Sequence, residues 1–179
     1  MPNYVLALCA GLAVAGLSTP ASADEIFGGV YAHNVDTPLT LDGHVEGGID
    51  LQLGWRGGTI ARPFGINLQP YAFGALNTAG NTSYAAVGLS TKFGGKVYVR
   101  PGLGIAIHNG SDARFENPFN DKLELGSRIL FEPELGIGVH VAPRVTAEAS
   151  WVHMSHATLF SGQNPGIDNI GVRVNVALP

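Results

Sequence analysis

The chain has 179 residues, of which 13% are charged, and its formal net charge at pH 7 is −4. Such a sparse and slightly acidic charge excludes the basic surface that nucleic-acid binding needs, and the length suits a single domain. Beyond the N-terminal segment, no apolar run is long enough for a transmembrane helix, and helical apolar spacing is hard to find. The composition therefore indicates an all-β protein.

The N-terminal segment has the pattern of a cleavable signal peptide. Residues 4–18 are apolar and uncharged, Pro20 follows them, and Ala21-Ser22-Ala23 has the small-x-small pattern of a cleavage site. We therefore predict a signal peptide over residues 1–23, with the cut before Asp24. A retained anchor helix is the alternative, although the apolar run is shorter than the roughly 20 residues of a membrane span.

The predicted mature chain, residues 24–179, is one domain without cysteine. Cleavage removes Cys9, the only cysteine of the sequence. The exported chain then has neither a disulfide nor a cysteine metal site. Its fold must be held together by a large core or by a closed, hydrogen-bonded sheet.

Strict alternation of apolar and other side chains predicts strands, because successive side chains of a strand point to opposite faces. Eight such segments follow in chain order, with the alternation blurred in the first and third: 25–34, 49–56, 68–77, 84–93, 96–108, 130–141, 144–157 and 169–178. The total is even, as bacterial outer-membrane barrels require. Tight turns predicted at Gly94-Gly95 and Pro143-Arg144 alternate with longer loops, although the 57–67 connection is longer than such a turn should be.

The two faces of these strands decide between a membrane barrel and a soluble protein. A soluble sandwich or lipocalin-like barrel turns its apolar row inward, whereas an outer-membrane barrel turns that row to lipid and fills its narrow bore with small and polar side chains. Because glycine weakens a strand that merely faces solvent, the glycine-rich and charged row favours the bore. We predict an eight-stranded antiparallel transmembrane β-barrel. The bore cations Lys92, Lys96, Arg100 and Arg173 are expected to pair with Asp50, Glu132, Glu134 and Glu148.

The seventh predicted strand carries a candidate catalytic group. Its lipid-facing row runs through Trp151, an interface residue, to His153 and Ser155 at the outer end. If the alternation of the last strand extends one step back, Asp168 lies on the same surface. A serine hydroxyl becomes a useful nucleophile when a histidine takes its proton, and a carboxylate fixes the histidine tautomer. These residues are therefore candidates for a hydrolase triad, although they are also ordinary residues at a barrel rim.

This hairpin resembles a known family. The runs His153-Met154-Ser155-His156-Ala157 and Asn164-Pro165-Gly166-Ile167-Asp168, followed by a short apolar strand, are similar to the lipid A 3-O-deacylase (PagL) family pattern, close to H-x-S-N-small-x…N-P-G-x-E. The resemblance implies an outer-membrane barrel with Ser155 as nucleophile, His153 as base and Asn164 near the oxyanion. It also implies Asp168 in place of the family's usual Glu. His156 replaces the family's common Asn, and its parity predicts a bore residue.

The resemblance implies an outer-membrane serine esterase that removes the 3-O-linked hydroxyacyl chain from lipid A. Lipid A of lipopolysaccharide and the outer-membrane bilayer are then the expected partners; neither a cofactor nor a metal nor nucleic acid is expected, and a homodimer stays open. Two alternatives also stay open. One is a non-enzymatic barrel for adhesion or envelope structure. The departures from the family pattern favour it, namely Asp168 for Glu, His156 for Asn and the added residue around Ser161-Gly162-Gln163. The second alternative is a soluble lipocalin-like binder.

Overall fold

The computed structural model describes residues 24–38, 45–115, 119, 122–162 and 164–179. The predicted signal peptide, residues 1–23, lies outside them. Within the described ranges, no helix has the length and apolar character needed to cross a bilayer. The main strands are β1 (Glu25–Ala32), β2 (Ile49–Arg56), β3 (Gln69–Asn77), β4 (Tyr84–Ser90), β5 (Val97–His108), β6 (Ile129–Ala142), β7 (Val145–Met154) and β8 (Ile167–Ala177).

These strands close into an eight-stranded antiparallel barrel, which confirms the predicted fold class. Each strand pairs with the next along the chain, and β8 pairs with β1 in a register that sets Ala32 opposite Ile170 and Glu25 opposite Ala177. Closure leaves none of the described main strands at a free sheet edge. That is the arrangement hydrocarbon demands, because no water is there to satisfy unpaired backbone groups.

The predicted strand 84–93 is interrupted in the structure. β4 ends at Ser90, and a separate two-residue strand, Phe93–Gly94, then pairs with β5, the same neighbour that β4 pairs with. Between them, the Thr91 N–H donates to the Pro101 carbonyl oxygen at 3.0 Å. Because proline has no N–H, it cannot return the second hydrogen bond of this pair, and the ladder breaks here.

The long connection between β2 and β3 continues their hairpin beyond the two strands. The Ile60 N–H donates to the Leu68 carbonyl, and the Leu68 N–H donates to the Ala61 carbonyl, both at 2.9 Å. A short 3-10 turn, Pro63–Gly65, closes the hairpin. The extra length is thus further β pairing rather than an irregular loop.

The apolar rows face outward, as the predicted membrane orientation requires. Leu53, Val99 and Ile137 are 68%, 41% and 55% exposed. Arg100 and Glu134, by contrast, are 1% and 3% exposed. A soluble barrel would show the reverse arrangement, and a continuous apolar surface of this kind is stable in hydrocarbon rather than in water.

Buried arginines and glutamates fill the bore. The ion pairs are Arg56–Glu25 at 3.5 Å, Arg56–Glu134 at 3.0 Å, Arg100–Glu25 at 2.8 Å, Arg100–Glu148 at 3.2 Å, Arg173–Glu134 at 2.7 Å and Arg173–Glu148 at 3.8 Å. Each arginine therefore meets two carboxylates, which is how buried charges are compensated. The prediction of bore pairs is confirmed for Arg100 and Arg173. It is wrong for Lys96, which is exposed in the turn before β5. It is also wrong for Lys92, whose ammonium lies 3.1 Å from His140 Nε2 instead of pairing with a predicted carboxylate.

Glycine makes room for the polar side chains of the bore. A Cβ at Gly104 would lie 2.6 Å from Glu132 Oε2, and a Cβ at Gly88 would lie 2.5 Å from the Tyr71 hydroxyl. The missing side chains admit the hydrogen bond that the Tyr71 hydroxyl donates to Glu132 Oε2 at 2.5 Å. The glycine-rich row therefore belongs to the bore, as its composition predicted.

A buried histidine joins the loops at the outer end of the barrel. His33 donates from Nδ1 to Asp50 at 2.9 Å and from Nε2 to Glu46 at 3.3 Å, and we call these three residues the rim clamp. Glu46 also accepts the backbone N–H groups of Thr82 and Leu123, at 2.9 and 3.2 Å, from two other loops. Burial alone would lower the pKa of His33, but the two carboxylates outweigh it and raise that pKa to about 9. Burial would raise the pKa of Glu46, but its hydrogen bonds outweigh that effect and lower the pKa to about 2.

Candidate active site

The register of the β7–β8 hairpin positions the candidate residues. His153 lies directly opposite Asp168, and Trp151 lies opposite Ile170. Ser155 follows the end of β7 and pairs with Phe131 of β6 through backbone hydrogen bonds of 2.8 and 3.1 Å. The serine is therefore held at the outer end of the lipid-facing row, where alternation predicts it.

Ser155, His153 and Asp168 form one chain of hydrogen bonds. His153 Nε2 lies 3.0 Å from Ser155 Oγ, and His153 Nδ1 lies 2.9 Å from Asp168 Oδ1. In the tautomer that donates from Nδ1 to the carboxylate, Nε2 is the acceptor available to the serine proton. The three side chains thus stand in the order of nucleophile, base and carboxylate that acyl transfer needs.

Burial increases along this chain from the serine to the aspartate. Ser155 is partly exposed, His153 is 8% exposed and Asp168 is 0% exposed. A substrate can therefore reach the hydroxyl, while the carboxylate is shielded from water. In such surroundings a charge acts more strongly on its neighbour than it does in solution.

Two further side chains hold the Asp168 carboxylate. The Trp151 indole N–H donates to Oδ1 at 2.7 Å, and the Thr37 hydroxyl donates to Oδ2 at 2.5 Å. The Val35 N–H donates to the backbone oxygen of Asp168 at 2.7 Å, which attaches the first outer loop to the hairpin. The sequence indicates Trp151 as an interface residue only and carries no signal for Thr37, which is 131 positions away in a loop.

Gly166 allows the loop between β7 and β8 to return against the imidazole. Its φ of +76° lies in the left-handed region, which favours glycine. A Cβ at this position would lie 3.1 Å from His153 Cε1. A larger residue would therefore both strain the backbone and press on the His153 ring.

Asn164, the candidate oxyanion residue, is hydrogen-bonded to His156, the residue after Ser155. Its Oδ1 accepts the backbone N–H of His156 at 2.8 Å, so Nδ2 is the end of the amide that can donate elsewhere. His156 is fully buried, as its inward parity predicts. Its ring accepts the Phe160 N–H at 3.4 Å and lies 3.4 Å from the Ser161 hydroxyl, so it supports the loop. An oxyanion contact of Asn164 stays a prediction.

The chemistry available here is that of a hydroxyl, an imidazole and a carboxylate. Within the described residues, no group of three or more His, Cys, Asp or Glu side chains is placed to hold a metal ion. Ser155, His153 and Asp168 lie on the same surface as Ile170 and Val172, which are 45% and 65% exposed. The arrangement suits nucleophilic attack on a carbonyl carbon held at the lipid-facing surface.

The chain resembles known proteins along nearly its whole length. The model of the family described as lipid A 3-O-deacylase (PagL) matches residues 27–177. The structure is similar to the crystal structure of the outer membrane enzyme PagL, with 18% sequence identity, a TM-score of 0.61, and 86% of this chain and 99% of that chain covered. It is also similar to Neisserial surface protein A (NspA), at 14% identity and a TM-score of 0.55, with 89% and 100% covered.

A further similar structure is the N-terminal β-barrel domain of Pseudomonas aeruginosa OprF, at 7% identity and a TM-score of 0.53, with 87% of this chain and 99% of that domain covered. At such identities these structural likenesses establish the fold alone. Among curated proteins, none matches the chain significantly. The family model spans far more than half of the sequence, and the lipid-facing barrel agrees with it. The chain therefore belongs to the lipid A 3-O-deacylase (PagL) family of the bacterial outer membrane.

Proposed function

We propose that this protein is a serine esterase that removes the 3-O-linked hydroxyacyl chain from lipid A. One observation carries the proposal: the hydrogen-bonded chain of Ser155, His153 and Asp168 lies on the lipid-facing surface of the barrel. Membership of the lipid A 3-O-deacylase family supports lipid A as the substrate. The shorter Asp168 side chain, in place of the family's usual Glu, still reaches the imidazole at 2.9 Å.

The reaction proceeds through an acyl-enzyme. Ser155 Oγ attacks the ester carbonyl carbon while His153 Nε2 takes the hydroxyl proton, and Asp168 stabilises the imidazolium that forms. The Asn164 amide donates a hydrogen bond to the oxyanion. The bond between the carbonyl carbon and the sugar oxygen then breaks, and the imidazolium gives its proton to that oxygen. Water, deprotonated by His153, attacks the acyl-enzyme and releases the 3-hydroxy fatty acid, which restores Ser155.

The place of the site suits a substrate that is itself a membrane lipid. Ser155 lies just beyond the outer end of β7, above a row of exposed apolar side chains. The acyl chains of lipid A can remain in the outer leaflet while the ester, at the depth of the headgroups, meets the serine. The bilayer then holds the substrate, and the barrel needs only to present aligned catalytic groups.

Mass spectrometry of lipid A tests the proposal. Cells with a lipid A that carries a 3-O-linked hydroxyacyl chain would express the wild type, Ser155→Ala or Ser127→Ala. Ser127 is a matched control, since it lies in another outer loop and its hydroxyl donates to the Ile129 carbonyl. We expect the wild type and Ser127→Ala to lower the mass of lipid A by one hydroxyacyl chain, and Ser155→Ala to leave it unchanged.

Two results would contradict the proposal. Identical lipid A in all three strains, with the barrels folded in the outer membrane, would favour a non-enzymatic barrel. Loss of an acyl chain from another position would retain an esterase but reject the assigned bond. Fragmentation spectra of the product distinguish the positions.

A further inference from the structure

We propose that Trp151 is a positioning residue of this site, whose indole fixes the Asp168 carboxylate and confines the His153 ring. The inference rests on the proposed esterase function and extends it to a residue outside the triad. It gives Trp151 a second task besides that of an aromatic side chain near the membrane interface.

Trp151 contacts both groups that prepare the nucleophile. Its indole N–H donates to Asp168 Oδ1 at 2.7 Å, the same oxygen that lies 2.9 Å from His153 Nδ1. Its ring stacks against the imidazole, with the centroids 5.9 Å apart and the planes 27° from parallel. The indole is therefore hydrogen-bonded to the Asp168 carboxylate and packs against one face of the His153 ring.

The bond matters because Asp168 is a buried carboxylate. With 0% exposure it has no access to bulk water, so protein donors must replace its hydration. An aspartate carboxylate can still turn about its Cβ–Cγ bond, which would carry Oδ1 away from the imidazole. The indole on Oδ1 and the Thr37 hydroxyl on Oδ2 hold the two oxygens at once, and so define the plane of the carboxylate.

The indole also needs this bond. Trp151 stands on the lipid-facing row, where an N–H without an acceptor is costly because lipid offers none. The carboxylate satisfies the N–H, and the N–H helps to satisfy the carboxylate. Each group therefore fixes the other, so that the contact is maintained before any substrate binds.

The other tryptophan of the chain is a matched control. The sequence contains two tryptophans, and Trp55 on β2 is 40% exposed on the outer surface. Its indole N–H also donates to an aspartate, Asp24 Oδ2, at 3.3 Å. β2 is separated from β7 by β1 and β8 around the barrel. A general role in membrane anchoring would apply to both tryptophans, whereas a positioning role applies to Trp151 alone.

The test compares Trp151→Phe with Trp55→Phe in purified, folded protein in detergent micelles. One readout is the rate at which a fluorophosphonate probe labels Ser155, and the other is the kinetics of lipid A deacylation. We expect Trp151→Phe to lower the labelling rate and kcat by about tenfold, equivalent to about 1.4 kcal/mol, with KM unchanged. Trp55→Phe should behave like the wild type. Equal rates for the two variants, or a change confined to KM, would overturn the inference.

A second variant separates the hydrogen bond from the stacking ring. In a Trp55→Phe background, incorporation of benzothienylalanine at position 151 replaces the indole N–H with sulfur and retains the shape of the ring. We expect it to reproduce the loss of labelling seen with Trp151→Phe. Full labelling by this variant would show that the N–H does not position Asp168, whatever the folding yield of Trp151→Phe.

A readout independent of activity separates this inference from the proposed function. With 15N-labelled tryptophan, the two indole N–H groups give two NMR resonances, assigned through the phenylalanine variants. We expect the Trp151 N–H to exchange slowly with D2O. We expect Asp168→Asn to shift its resonance, because a neutral amide oxygen replaces the carboxylate as its acceptor, without affecting Trp55. Rapid exchange in the wild type would overturn the inference. If Ser155 is unreactive while the Trp151 resonance responds as expected, the esterase proposal fails and the contact with Asp168 stands.

Discussion

Replacement of Asp168 by asparagine removes a charge while it retains the shape of the site. The asparagine oxygen can take the place of Oδ1 and accept from His153 and Trp151. The asparagine NH2 group then faces the Thr37 hydroxyl, which can turn from donor to acceptor. The substitution therefore isolates the effect of the negative charge on the imidazolium of the proposed reaction.

The size of this effect follows from the distance between the charges. His153 Nδ1 lies 2.9 Å from Asp168 Oδ1. At an effective dielectric constant of about 20, two unit charges at that separation attract by roughly 6 kcal/mol. Each 1.4 kcal/mol of lost transition-state stabilisation lowers the rate about tenfold. We expect kcat to fall by about 10³- to 10⁴-fold, with the upper value corresponding to loss of the whole attraction.

The assay is release of 3-hydroxy fatty acid from lipid A in mixed micelles, with folding checked by heat-modifiable electrophoretic mobility. Asp112→Asn is the matched control, because Asp112 pairs with Arg128 at 2.8 Å on the surface of an outer loop. This control should retain the wild-type rate. A folded Asp168→Asn protein with more than a tenth of the wild-type kcat would refute the assignment of the carboxylate to the triad.

Three further predictions concern the fold. The rim clamp predicts a pH-dependent difference in Tm between the wild type and Glu46→Gln. The pKa of His33 is raised to about 9, so its contribution to stability is full below about pH 6.5 and is lost as the pH rises through 9. The pKa of Glu46 is lowered to about 2, so its contribution to stability is full above about pH 4.5 and is lost as the pH falls through 2. The difference should be largest between those limits, and a constant difference from pH 3 to pH 10 would be inconsistent with the clamp. Leu103 lies in the middle of β5 and is 63% exposed, so Leu103→Arg should lower the free energy of unfolding of the barrel in vesicles by about 2–4 kcal/mol, measured in urea. Ile107→Arg, nearer the outer end of the same row, should lower it by clearly less. Equal losses for the two variants would contradict the membrane orientation. Gly104→Ala should lower the free energy of unfolding by about 1–3 kcal/mol in the same measurement, because its Cβ would lie 2.6 Å from a glutamate oxygen and 2.6 Å from a backbone oxygen. In the control Gly74→Ala, the Cβ would meet no atom within 4 Å, so stability should change little.

The alternation of apolar and polar side chains along the strands predicts more of the fold and of the candidate site than any other feature of the sequence. The period of two assigns each residue to a face, so it placed His153 and Ser155 on the outer row and Arg100 on the inner row, where the structure has them. Extension of the last strand by one step placed Asp168 beside the histidine, and β8 does begin at Ile167, one residue earlier. These successes concern residues of neighbouring strands, whose relative positions are fixed by a hairpin.

Contacts made by loops cannot be predicted from the sequence in the same way. Thr37 reaches Asp168, and the rim clamp joins His33 to Glu46, through segments that have no period to read. No pattern in the sequence therefore distinguishes His33 from the other histidines. The bore partners Arg56 and Glu25 were missed for a related reason: their pairing depends on how side chains cross the bore, not on which face they occupy. The break after Ser90 needed the register, because only the register sets Pro101 opposite Thr91.

The closed sheet separates a bore of paired charges from an outer surface that carries the candidate site. Paired arginines and glutamates occupy the bore, whereas Ser155, His153 and Asp168 lie on the outer surface near the rim. On the outside, a carboxylate directly exposed to lipid would be unstable, and the structure instead covers Asp168 with Trp151 and Thr37 while Ser155 stays accessible. The increase in burial from Ser155 to Asp168 thus allows a charged carboxylate to lie beneath a hydrocarbon-facing surface. For the proposed esterase, Trp151 and Thr37 would therefore shield the carboxylate in the way that an enclosing pocket does in a soluble esterase.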